Sequence, residues 1–463
     1  MKKFLALLLT IMMLTMVVGC ASAPESTPVD APEEAAPAEE EAAAEEEVAE
    51  KLVIWTNLTA EAQAVILDKQ FNEVAEEMGV DIEMVTVSFG DMYTKLATAV
   101  ESDEVPDIMH TNFAGSAYLY GQGMLAPMDD VIETLGRDDF IATYLGVLTK
   151  DGHTWGLPDW ALHTSVWYRK DLFDEYGLEI PTNWEEFEAV AKALNIDTDG
   201  DGNIDVYGFP VPLSATHVAA QTYYEFLYSA GVYTVDPETG EYSFGDQIDT
   251  ATEVLDYMIN LYKEVSPPSA TEWAWSEYRN ALVEGNVAMT LDMGAVVLMS
   301  QTNNPDMTAN LGRFDLPGPD GYKHASFGSG YAFVASNKGS EADIDMREEF
   351  LARLYTPERA AERALSRPMF AFPSLYSALD AYKEAETVAL FQDEIGTITE
   401  SFENTNWYWY GMENGLSPLS SQIESTTFFG ETLQSVALDL MSVEDAVLYI
   451  DEMLQEQVAI VSE

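Results

Sequence analysis

Along residues 51–112 the apolar positions switch between a period of two and a period of roughly 3.6, the spacings of strands and of amphipathic helices. Lys51-Leu52-Val53-Ile54-Trp55-Thr56-Asn57 reads as a strand. Behind it Ala64, Leu67, Phe71, Val74, Ala75 and Met78 recur at helical spacing, and Gly79 supplies the C-terminal stop. Val80 to Val87 is the next strand, Asp91 to Val100 suits a helix, and Asp107-Ile108-Met109-His110 behind Pro106 is a third short strand. Strands alternating with helices predict a parallel, doubly wound sheet, whose ligands sit outside the carboxyl ends of its strands. The residues just past those ends are Trp55 and Asn57, Phe89 and Asp91, and Thr111 and Asn112. None of the three loops is a glycine-rich phosphate cradle, so nucleotide binding has no support here.

Before this alternation stands a different pattern. Lys2 and Lys3 precede an apolar run from Phe4 to Val18, and Val17-Val18-Gly19-Cys20 closes it with the chain's only cysteine. The run is too short for a membrane span and has the layout of a cleaved leader. One cysteine cannot build a disulfide framework or a Cys-ligated metal site, and Val17–Cys20 resembles a bacterial lipobox, which implies lipid attachment at Cys20. An ordinary secretory signal with an incidental cysteine is the alternative. Residues 21–50 hold four prolines, eleven carboxylates and no Lys or Arg, the composition of an extended, disordered stalk. A partial helix through Glu39–Glu50 is the local alternative.

Charge narrows the partners. The formal net charge is -60, and residues 51–463 alone carry 70 acidic against 19 basic side chains. That field excludes nucleic acid and direct docking on anionic lipid. It fits either a solvated acidic surface or a cationic ligand such as a polyamine.

The middle of the chain carries a family pattern. Gly156-Leu157-Pro158, Val166-Trp167-Tyr168-Arg169-Lys170-Asp171-Leu172-Phe173, Gly177-Leu178, Pro181 and Asn183-Trp184-Glu185-Glu186-Phe187 follow one another in order. Further on come Leu282-Val283-Glu284-Gly285-Asn286-Val287-Ala288-Met289, Leu316-Pro317-Gly318-Pro319, Phe327-Gly328-Ser329-Gly330-Tyr331, Tyr355-Thr356-Pro357-Glu358 and Ser442-Val443-Glu444-Asp445-Ala446. Together these resemble the extracellular solute-binding proteins of bacterial ABC importers, carbohydrate-binding group, over nearly all of residues 52–455. Asn183 reads as a helix cap with acids in the first turn behind it, and Trp184 as core packing at the helix start.

The resemblance implies a class II periplasmic-binding-protein fold: α/β, with two doubly wound lobes joined by a multi-segment hinge. It implies lobe one at 51–163 and 331–369, lobe two at 164–330 and 370–463, and crossings near Leu162–Ser165, Phe327–Gly330 and Phe370–Pro373. The glycines flanking Ser329 and the proline at 373 are hinge candidates. It further implies a lipid-anchored, extracytoplasmic monomer that takes a small carbohydrate into an interlobe cleft and delivers it to permease subunits. A polyamine or other cationic solute is the rival ligand, and a secreted carbohydrate-active enzyme the alternative of another class.

A sugar site wants flat aromatic platforms beside groups that bond hydroxyls. Trp55, Trp155, Trp160, Trp273, Trp275, Trp407 and Trp409 fall where loops are expected. Asn404–Tyr410 alternates like a strand, with Trp407 and Trp409 on one face, and Thr271–Glu277 repeats that pattern with Trp273 and Trp275. The expected ligand-binding set is therefore Trp55, Asn57, Phe89, Asp91, Asn112, Trp160, Trp273, Trp275, Asp292, Ser329, Tyr331, Phe370, Trp407 and Trp409. In many sugar-binding relatives a tryptophan follows the glycine after "AM", whereas Asp292-Met293-Gly294-Ala295 places alanine there, so Trp273 or Trp275 is the replacement candidate.

Asp197-Thr198-Asp199-Gly200-Asp201-Gly202-Asn203-Ile204-Asp205 is a separate signal. It reproduces most of an EF-hand loop, with Asp197, Asp199, Asp201, Asn203 and Asp205 as calcium ligands, but position 12 is Gly208 rather than glutamate. A structural calcium is expected there, with an ion-free Asx-rich turn as the alternative. No cofactor is required. Five histidines form no H-E-x-x-H, no G-x-S-x-G is present, and paired carboxylates discriminate nothing among so many, so no enzyme is expected.

Overall fold

The computed structural model describes residues 51–321, 326–404, 407–408 and 410–462, with the side chains of 403, 404, 407 and 408 excepted. The leader, Cys20 and the acidic stretch 21–50 lie outside the described residues. Among the described residues there are twelve strands: β1 Lys51–Thr56, β2 Asp81–Thr86, β3 Ile108–Asn112, β4 Thr149–Lys150, β5 His153–Thr154, β6 Leu157–His163, β7 Ser165–Arg169, β8 Met289–Asp292, β9 Leu311–Phe314, β10 Ser326–Ala335, β11 Phe372–Pro373 and β12 Trp407–Tyr408.

β1 lies between β2 and β3 and is parallel to both, with Trp55 opposite Val85 on one side and Met109 on the other. The helix Glu61–Met78 joining β1 to β2 buries Leu67, Phe71, Val74 and Ala75, and ends at Gly79 in the left-handed conformation, φ 71°. Phe71 meets Phe333 and Phe350 edge-on, both at 6.0 Å, a burial worth roughly 1.5–3 kcal/mol for one such side chain. The expected strand and helix succession is thus present through β3.

Beyond β3 the sheet changes character. β10 pairs antiparallel with β3, β6 antiparallel with β10, and β11 antiparallel with β6, which gives the order β11-β6-β10-β3-β1-β2. The larger sheet is therefore mixed: parallel among β1, β2 and β3 and where β12 pairs with β10, antiparallel elsewhere. A local period reports a strand but not its neighbour, and β10 returns from the far part of the chain. The second sheet has the order β8-β7-β9, all antiparallel, with helices Ile248–Val265, Phe428–Ala437 and Val443–Ser462 packed together beside it.

The core between these layers is mostly apolar, with one polar knot. Asp159 on β6 accepts from Arg363 Nε at 2.8 Å and lies 2.9 Å from His110 Nε2 on β3. Burial opposes the Asp159 charge, yet Arg363 and His110 outweigh it and hold the carboxyl below its ordinary range.

Only Thr164 separates β6 from β7, so the chain passes there from the larger to the smaller sheet. The second passage lies upstream of the expected Phe327–Gly330, because Gly328 and Ser329 are already paired with His163 and Leu162. Gly330 is a packing glycine rather than a hinge: a Cβ there would stand 2.3 Å from the Phe113 ring and 2.5 Å from the Trp160 carbonyl oxygen. The third passage also differs. β11 extends the larger sheet and helix Tyr376–Lys383 packs on helix Pro357–Leu365, so the chain stays with that sheet well past residue 370. A two-residue edge strand ending in proline has no periodicity to read. Among the described residues no helix is long and apolar enough to cross a membrane.

Candidate binding cleft

Between the larger sheet and the helices His217–Ser229 and Trp275–Glu284, a cavity of about 300 Å³ is lined from both sides. The larger sheet contributes Asn112 at the end of β3, Leu162 near the end of β6, and Phe327, Ser329 and Tyr331 from β10. Opposite them stand His217 and Gln221 on helix His217–Ser229, Trp275 and Arg279 on helix Trp275–Glu284, and Met293 behind β8. Phe89, Arg367, Phe370, Tyr410 and Glu424 complete the wall.

Local chemistry holds these groups in place. Asn112 accepts from Gly115 N–H at 2.9 Å, capping the helix that follows β3, and its Nδ2 donates to Glu424 at 3.2 Å. Tyr93 donates to the same carboxyl. Burial pushes Glu424 up to about 7, against the downward pull of Tyr93 and Asn112. Trp275 and Arg279, four residues apart, lie on one helical face, with the guanidinium 6.0 Å from the indole centroid. Arg279 Nε donates to Asp292 Oδ2 at 2.6 Å. Burial opposes its charge, but the Asp292 carboxylate outweighs that and raises it above the ordinary arginine value. Arg367 lies over the Phe370 ring, 3.4 Å from its centroid, and burial pushes it down to about 10, still cationic at neutral pH. Burial likewise raises Tyr331 to about 12 and lowers His217.

Of the expected ligand-binding set, the structure brings Phe89, Asn112, Trp275, Ser329, Tyr331 and Phe370 together on this cavity. Others lie elsewhere. Trp55 packs half-buried against a small cluster with Val87, Met92 and Leu96. Asn57 is buried and donates to Met92 Sδ, and Asp91 closes an exposed turn by accepting from Ser88 Oγ at 2.6 Å. Trp160 is 1% exposed and serves the core, edge-on to His110. Trp273 sits half-buried against the core, because Thr271–Glu277 forms a 3-10 turn running into a helix rather than an alternating strand. Asp292 is fully buried and acts behind Arg279. The Trp407 side chain and Trp409 lie outside the described residues, although the Trp407 backbone pairs with Ser326.

The alanine at 295 has a structural counterpart. Gly294 holds φ 99°, and a Cβ there would lie 2.0 Å from the Met369 carbonyl oxygen. The turn carrying Phe370 is thereby seated against the turn after β8, and Trp275 brings an indole from the neighbouring helix. Sequence reading missed Arg279, Arg367, Gln221, His217, Tyr410 and Glu424. Arg279 had a usable signal, a cation one helical turn beyond a candidate tryptophan; Arg367 had none.

Trp184 is core, as expected: it stacks on Tyr257 at 4.3 Å and donates to the Pro317 carbonyl at 2.9 Å, while Asn183 caps its helix. In the acidic loop, carboxylate oxygens of Asp197, Asp199 and Asp205 come within 4.8 Å of one another. Asp201 instead accepts from Asn203 N and Nδ2 at 2.8 and 2.9 Å, so the five expected ligands do not all converge.

The family model for bacterial extracellular solute-binding proteins matches residues 55–361. The chain belongs to that family. This solute-binding protein is 27% identical to a binding protein of Brucella abortus (strain 2308) over 259 residues, 53% of this chain and 58% of that relative. The match thus spans less than two thirds of that relative's length. An arabinooligosaccharide-binding protein of Halalkalibacterium halodurans is 24% identical over 337 residues, 68% of this chain and 69% of the relative. The maltose-bound MalE3 of T. maritima superposes with a TM-score of 0.70 at 17% identity, covering 88% of this chain and 99% of that one. That likeness shows the fold: class II, two α/β lobes joined by a multi-segment hinge. The family comprises extracytoplasmic solute-binding proteins, not enzymes.

Proposed function

We propose that this solute-binding protein captures a mono- or oligosaccharide in the cleft and delivers it, chemically unchanged, to the permease of an ABC importer. Cys20 would carry the lipid that tethers it outside the cell. The carrying observation is the cavity itself, which sets Trp275, Tyr331, Phe89 and Phe370 beside Asn112, Gln221, Arg279 and Glu424. Flat rings suit the C–H face of a sugar, and the polar groups suit its hydroxyl rim. The relative that binds arabinooligosaccharides and the maltose-bound structural neighbour support the same ligand class. A ligand touching both walls of the cavity stabilises the closed population, which is the signal a permease can read.

The polyamine reading loses support at the same place. Two guanidinium groups line the cavity, Asp292 is already engaged by Arg279, and Glu424 is held up near neutrality. An ammonium would meet like charge. A thermal-shift and calorimetric screen across neutral sugars, acidic sugars and polyamines tests this. We expect at least one saccharide to raise the melting temperature, and a polyamine that binds where no saccharide does would overturn the reading.

A further inference from the structure

Arg367 lines the cavity, yet among the described residues it has neither an ion-pair partner nor a hydrogen-bond acceptor. Its contact with Phe370 covers one face of the guanidinium. The five donors of an arginine lie in the plane of that group, so stacking leaves them open to water or to a ligand. Nearby carboxylates do not fill the gap. Asp292 takes Arg279 Nε, the Tyr278 hydroxyl at 3.1 Å and Val296 N–H at 3.2 Å, so its charge and its lone pairs are committed. Glu424 has Tyr93 and Asn112 on its oxygens. Tyr331 is within electrostatic reach of both Arg367 and Glu424, so the cavity offers a cationic station and a hydroxyl-bonding station around one ring.

Arg279 and Asp292 cancel, which leaves Arg367 as the cavity's uncommitted cation, with Glu424 held near neutrality on the same wall, inside a chain of formal charge -60. Arg367 is partly exposed; a ligand that closes over it removes its water, and that cost is offset when the ligand brings a counter-charge. We propose that the cleft is selective for an acidic saccharide, Arg367 pairing with the carboxylate of a uronic acid unit while Trp275 underlies a sugar ring. This rests on the carbohydrate reading and deepens it. One uncommitted guanidinium matches one carboxylate, and the planar fork of arginine donates to it through two parallel bonds. A phosphorylated sugar offers related chemistry with more charge, which the overall acidic field opposes.

Calorimetry on the mature chain with matched probes decides it: galacturonate against galactose, glucuronate against glucose, digalacturonate against galactobiose, and glucose 6-phosphate. A uronate should bind roughly 10- to 100-fold tighter than its neutral partner, the scale of one charge-assisted pair. That ratio should fall towards one in Arg367→Gln and return in part in Arg367→Lys, which keeps the charge without the fork. Because Arg367 has no ion pair to lose among the described residues, only its stacking on Phe370, the ligand-free melting temperature of Arg367→Gln should drop little; if that variant does not fold, the wild-type ratios decide alone. Neutral sugars bound as tightly as their uronates would overturn this inference and leave the carbohydrate reading standing. Preference for glucose 6-phosphate over every uronate would overturn the carboxylate assignment, and binding of no saccharide at all would overturn both readings.

Discussion

Glu424 shows how one side chain couples the cleft to pH. Burial raises it from 4.5 to about 7, and Glu413, buried with Tyr228 and Thr234 donating to it, is raised to the same region. In the unfolded chain both release their protons near 4.5. Between these values the folded state binds more protons, so stability is greatest at the acidic end, falls as pH rises through the window, and levels off above it. Each group contributes on the order of 3 kcal/mol to that fall. Glu424→Gln should therefore flatten part of the slope, being more stable than wild type at pH 8 and nearly equal to it at pH 5. Urea midpoints measured at both values check this; parallel profiles for variant and wild type would remove Glu424 as a source. Residue identity alone does not reveal such a group, since a glutamate in a helix ordinarily faces water.

Elements place the site through two turns that fit each other. Gly294, at φ 99°, lies under the Met369 carbonyl, and Met369 itself has φ 64°. Gly294→Ala meets two penalties, a left-handed backbone and a collision with main chain that cannot swing away. The conformational part alone costs about 1–3 kcal/mol. The expected result is a lower denaturant midpoint together with weaker saccharide binding, because Phe370 and Arg367 ride on the displaced turn. Unchanged binding in a destabilised variant would separate the turn from the cleft. The helix Trp275–Glu284 was legible only in part. Its tryptophan stood out, but the flanking residues looked like an alternating strand, and only packing against β8 shows that Trp275 reaches the cavity while Trp273 turns to the core.

For the whole molecule, the cavity matters because the larger sheet lines one side and the helices His217–Ser229 and Trp275–Glu284 the other. A saccharide that contacts Asn112 and Tyr331 on one side and Gln221 and Trp275 on the other binds the closed form in preference to an open one. Ligand at 100 times its dissociation constant should stabilise the fold by about 2.7 kcal/mol. Small-angle scattering should show a smaller radius of gyration with ligand than without, and a Trp275→Ala variant should need roughly tenfold more ligand for the same change. Identical scattering with and without a bound saccharide would count against closure.

The amino-acid order by itself determined the β1 to β3 succession, its helices, the stop at Gly79, the cap at Asn183 and the family. Each of these is written in neighbouring residues or in ordered blocks, where hydrophobic period, capping chemistry and spacing act locally. Tertiary structure alone decided that β10 runs antiparallel beside β3 and β6 antiparallel beside β10, that Trp160 and Trp273 belong to the core while Trp275 faces the cavity, and that Arg367 has no ion-pair partner among the described residues. Those facts depend on which distant segments meet, and a side chain's exposure, partner and charge balance are properties of that meeting rather than of the residue.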